Sequence, residues 1–183
     1  MDKRLGFVVG ALWGLCALAT AAEVQHPSVR RAAEAARLTA DTADYAAICQ
    51  TLAVQAVENA LAIQREADER LVAALRRGTA ADIAEAYRAR DAAAEEAGEA
   101  LRQGRQVIQD VGVVVDCAAS AAGEAARAQD SADRKVRERS ARDAERQYIE
   151  AEKAADRARV VVEELKRKWL LPVPSNGGRE PGA

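Results

Sequence analysis

Residues 28–171 of this chain contain no proline, with Pro27 before the run and Pro172 closing it. Proline inside a helix removes a backbone donor and clashes with the preceding turn, costing about 3 kcal/mol. A long run without it leaves continuous helix open. The residues agree, since Ala, Glu, Arg, Asp, Leu, Gln and Val make up nearly all of it, and most are strong helix formers. The predicted fold class is all-α, an elongated antiparallel helical bundle or coiled coil of two to three long helices within residues 23–171.

Composition decides how such helices must pack. Aromatic residues are 3% of the 183 and charged residues 31%, so a compact globule would lack large side chains to fill its interior. Alanine does much of the apolar work. Alanine seams let helices approach closely but bury little area per contact, so the contacts must come from length. A helix of about 50 residues is about 75 Å long. The formal charge of −2 offers no basic stripe, which argues against a nucleic-acid partner.

The first helix is predicted over residues 27–77. Pro27 suits a first turn. Gly78 stops the helix after Arg76 and Arg77, cations that suit the negative end of the helix dipole. Alternating steps of four and three from Val29 trace a seam through Ala33, Ala36, Ala40, Ala43, Ala47, Gln50, Val54, Val57, Leu61, Gln64, Asp68, Leu71 and Leu75. Leu38, Tyr45, Ile48 and Leu52 lie beside it as a second stripe. Two stripes predict two neighbours, and so three packed helices rather than a plain hairpin.

The second helix starts at Thr79, where Asp82 approximates the far side of a capping box. Its seam runs through Ile83, Tyr87, Arg90, Ala94, Ala97, Leu101, Gly104, Ile108, Val111, Val115, Ala118 and Ala122. The phase passes unbroken through Gly104, which predicts a close helix contact there. Gly112 lies off the seam. The junction to the third helix is placed between Gly123 and Ser140, because a new phase begins at Ala141 and slips against Val136. That phase runs through Ala144, Tyr148, Ala151, Ala155, Ala158, Val162, Leu165 and Trp169. Leu165 and Trp169 are expected to anchor the end of the bundle. Asp133 with Arg137, Glu138 with Arg142, Glu163 with Arg167 and Glu164 with Lys168 have the spacing of i,i+4 pairs on a solvated face. Residues 172–183, rich in Pro and Gly, read as a disordered tail.

The N-terminus reads as an export signal. Lys3 and Arg4 precede an apolar core over residues 5–19, and small residues ending at Ala21 or Ala22 supply the cleavage site. The core is short for a membrane span. Removing residues 1–22 takes away Asp2, Lys3 and Arg4 and leaves a formal charge of −3. The expected localisation is therefore exported, at the cell surface or outside the cell, with the periplasm as the alternative.

Cys16 leaves with the signal, so Cys49 and Cys117 remain as an even pair in an oxidising compartment, which suggests one disulfide. Two buried thiols are the alternative. Register opposes the bond, because a tight turn at Gly78 sets Cys49 level with residues near Ile108. The offset from Cys117 is about nine residues, roughly 13 Å, against a Cα separation of at most about 7 Å in a disulfide. A wider turn, a bend near Gly104 or Gly112, or pairing between two chains would absorb it.

Catalytic and cofactor motifs are missing from the sequence. The single histidine, His26, leaves no His-based triad, His-rich zinc site or Glu-x-x-His pattern. No Gly-rich phosphate loop occurs. The chain is expected to be no enzyme and to use no cofactor and no metal.

A signal peptide, Ala-rich amphipathic helices of about 50 residues and few, widely spaced cysteines together resemble the helical surface proteins of trypanosomes. These are the variant surface glycoprotein N-terminal domains and the alanine-rich stage-specific coat proteins. Ala46-Ala47-Ile48-Cys49-Gln50-Thr51-Leu52 is similar to their first helix, a cysteine inside an Ala/Leu seam. The resemblance implies an exported, non-enzymatic coat-type protein that presents a helical ligand- or host-binding face. Protein partners or self-association are expected. Such proteins carry a lipid-anchor signal. Small residues 175–178 are followed by no apolar tail, so membrane attachment requires an anchor not visible in this chain. The alternative is a secreted or periplasmic coiled-coil chaperone or adaptor.

Overall fold

The computed structural model describes residues 26–170, of which 96% are helical, with no strand among them. Three long helices pack against one another as an all-α bundle. Helix α1 spans Pro27–Arg77, α2 Ala80–Asp130 and α3 Arg134–Leu165, and a π-helical turn, Lys166–Leu170, follows α3. The signal segment with Ala21 and Ala22, and the tail over 172–183, lie outside the described residues.

The ends follow from local chemistry. His26 caps α1: its carbonyl accepts from the Val29 and Arg30 amides, and its Nδ1 accepts from the Ser28 amide. At the start of α2, the Thr79 amide donates to Asp82 Oδ2 at 2.8 Å while the Asp82 amide reaches back to Thr79 Oγ1 at 3.3 Å. This reciprocal pair is a capping box with Asp at the third position. Between α2 and α3 the turn lies at residues 131–133. Asp133 Oδ1 accepts from the Lys135 amide at 2.8 Å, and the Arg137 guanidinium donates to the Ser131 carbonyl at 3.1 Å. Gly123 lies inside α2, exposed and with open space around it.

Two compact units divide the chain. The first comprises described residues 26–49 together with Ile108–Arg159. Its core is a ladder of alanines: Ala32, Ala35 and Ala36 on α1, Ala121, Ala125 and Ala128 on α2, and Ala141 and Ala144 on α3, with Tyr148 packed against them. Val107 and Val114 are among the largest fully buried side chains of the chain, so small residues set the helix spacing. Thr39 is buried with its hydroxyl donating to the Ala35 carbonyl at 2.6 Å. Asp110 is buried and receives the Arg157 guanidinium from α3 at 2.8 Å, an ion pair that tethers α3 to α2.

The expected disulfide does not form: Cys49 and Cys117 are both buried thiols in this unit. Register is the reason. The alanine ladder sets residues near 34 on α1 against residues near 125 on α2. Antiparallel stepping from there places Cys49 level with residues near 110, roughly 10 Å of helix rise from Cys117. That exceeds the reach of an S–S bond. Burial, with Glu150 and Asp116 nearby, pushes the Cys117 thiol pKa up, so the thiol stays protonated and unreactive.

The second unit comprises Gln50–Val107 and described residues 160–170. Its buried residues are Ala53, Ala56 and Ala60 on α1, Ala97, Ala100 and Val107 on α2, and Val162 and Leu165 on α3. Gly104 is a close contact, since a Cβ placed there would lie 2.8 Å from Val57 Cγ2. Leu165 is fully buried, but Trp169 is half-buried. Its carbonyl accepts from Asn59 Nδ2 at 2.9 Å, and Lys168 Nζ stands 5.1 Å from the ring centre. The anchor of this end is Leu165, with Trp169 lying across the rim.

The seam of α3 matches the heptad read from the sequence. Ala141, Ala144, Ala151, Ala155, Ala158, Val162 and Leu165 are all buried. The seams of α1 and α2 do not match. On α1 the buried set is Ser28, Val29, Ala32, Ala35, Ala36, Thr39, Ala43, Ala46, Cys49, Ala53, Ala56 and Ala60, so Val29, Ala36 and Ala43 hold, and from Ala47 to Leu61 every expected position is displaced by one residue. On α2, Ala97, Gly104 and Val111 hold, while Tyr87 and Ile108 are exposed. The ion pairs of α3 also differ. Glu138 pairs with Arg134 and Glu163 with Lys166, while Lys168 reaches Glu96 on α2.

Candidate interaction surface

Among the described residues, one stretch of the second unit's helical hairpin has no third helix on it. Described α3 and its π-turn end at Leu170, beside Asn59 and Glu96, while α1 and α2 continue to their turn at residues 78–79. Between residues 61 and 96 no residue is fully buried. Gln64, Ala67 and Leu71 on α1 and Ile83, Ala86 and Ala93 on α2 are half-buried. Asp68 is bonded across the hairpin by Arg90 Nε at 3.3 Å, which pins the register.

Large apolar side chains point away from this contact. Val72 is 47% exposed, Leu75 52% and Tyr87 48%. Val54 and Ile63 are exposed as well. Helical geometry sorts them into two faces. Ile63 lies on the side that α3 occupies nearer Leu170. Leu61 is two residues from Asn59, about 160° around the helix, and Tyr87 is nine residues from Glu96, about 180° around. Leu61, Val72, Leu75 and Tyr87 therefore share the opposite face.

That face has its own heptad. Val54, Leu61, Asp68 and Leu75 recur at seven-residue spacing on α1, as do Ala80, Tyr87, Ala94 and Leu101 on α2. Most of these are positions of the seams traced in the sequence. The periodicity is real, but Val54, Leu75, Ala80 and Tyr87 are exposed and Leu61, Asp68, Ala94 and Leu101 are only half-buried. A seven-residue repeat keeps one stripe aligned along a helix and marks a surface built to meet another helix.

Arg76 sits at the turn end of α1, and Asp91 and Glu95 on α2 lie level with the middle of the α1 stripe, since Arg90 stands opposite Asp68. Asp91 is held by the neighbouring Arg90 at 3.0 Å. The Thr79 amide and hydroxyl hold the Asp82 carboxyl below the usual carboxylate range.

The residues singled out from the sequence lie elsewhere. Cys49 and Cys117 are in the core of the first unit, and the structure does not join them. His26 Nδ1 lies 2.7 Å from Ser28 Oγ, but Ser28 is buried and both groups serve the start of α1. Among the described residues, no group of three or more His, Cys, Asp or Glu side chains is placed to hold a metal. Helix α1 contains a stretch long and apolar enough by composition to cross a membrane, and in the structure α1 packs against the other two helices. No family model, no curated protein and no solved structure matches the chain.

Proposed function

We propose that this chain is an exported, non-enzymatic helical protein of the surface or coat type, working through the helical face it presents to partners. The observation that carries the reading is the distribution of apolar residues. The small ones line the interior, and Tyr45, Ile48, Val72, Leu75, Tyr87, Ile108 and Ile149 are on the outside. Scattered apolar residues are ordinary on a surface, but a heptad-spaced stripe is not. The export signal over residues 1–22 and the resemblance to trypanosome coat proteins support the surface setting. Two thiols buried in an alanine core agree with it, because burial keeps them from oxidation.

The test is protease treatment of intact cells that express the full chain, followed by mass spectrometry of the released peptides and of the mature N-terminus. Peptides from α1 and α2 released from intact cells, with an N-terminus near Ala22 or Glu23, are the expected result. A chain recovered in the medium or periplasm with the same N-terminus would favour a secreted adaptor over a coat component. A chain that keeps Met1 and stays protected inside the cell would refute export altogether.

A further inference from the structure

We draw no further inference here: the strongest candidate, the half-buried face of the second unit's hairpin that carries Val54, Leu61, Leu75 and Tyr87, carries nothing because no feature of the structure shows what covers it.

Discussion

Gly104→Ala tests the close helix contact directly. Inside a helix, replacing Gly by Ala gains about 1 kcal/mol by restricting the unfolded chain. At Gly104 the added Cβ would lie 2.8 Å from Val57 Cγ2, closer than side chains pack. Val57 is β-branched, and its χ1 is confined in a helix, so it cannot swing aside cheaply. Relief requires separating α1 from α2 by some tenths of an ångström, at a position where neighbouring Ala53, Ala56, Ala60 and Ala100 are buried. Overpacking of this kind costs about 1–3 kcal/mol. The propensity gain offsets part of it, so the net change should be about 0–2 kcal/mol destabilising. At Gly112 and Gly123 an added Cβ would meet nothing within 4 Å, and Ala at either should stabilise by about 1 kcal/mol. The decisive measurement is a double-mutant cycle by urea denaturation followed at the helical circular dichroism band. With Val57→Ala as background the clash is gone, and Gly104→Ala should then stabilise by the full propensity term. The cycle should return a coupling energy of about 1–3 kcal/mol. A Gly104→Ala variant as stable as Gly112→Ala, with no coupling to Val57, would refute the close contact.

Four further outcomes are expected. Leu165→Ala should cost about 2–5 kcal/mol, because the side chain is fully buried, whereas Trp169→Ala should cost less because it is half-buried; thermal melts of the two variants decide the order. Arg157→Ala should destabilise by about 3 kcal/mol by leaving the Asp110 carboxylate buried without its cation, and Asp110→Asn should cost less, as urea titration would report. Asp82 has its folded pKa depressed by the Thr79 amide and hydroxyl, so its contribution is present above the unfolded carboxylate pKa and is lost as the pH falls through the folded value; wild type should lose stability on that acidic limb relative to Asp82→Ala. Thiol counting under non-reducing conditions should find that Cys49 and Cys117 react only after denaturation, and a reducible cross-link between them would contradict the register argued for the pair.

By itself the sequence determined the helices and most of their limits. Proline absent from residues 28–171, Gly78 after Arg76 and Arg77, and the Thr79–Asp82 box are local instructions that operate within a turn of chain. The α2–α3 turn carried a fainter signal. Asp133 is an N-cap residue, but with no glycine or proline beside it the turn was legible only to within residues 123–140. The α3 seam was legible in full because charged residues fill its other faces and leave one apolar stripe.

On α1 and α2 the choice of buried stripe belonged to the tertiary structure. Each helix carries two apolar stripes about one residue apart in phase, one of alanines and one with the larger Val54, Leu61, Tyr87 and Ile108. Periodicity finds both and ranks neither. Hydrophobicity alone favours burying the larger one, and the fold buries the smaller. Alanine and Gly104 allow the helices to approach until backbone and Cβ atoms touch, and that close packing recovers by dispersion over many contacts what each small side chain lacks in area. The same choice turned the larger stripe outward and created the candidate surface. It also fixed the register that keeps Cys49 and Cys117 apart. Side-chain period is a property of one helix, whereas the distance between helices is set only when all three are packed.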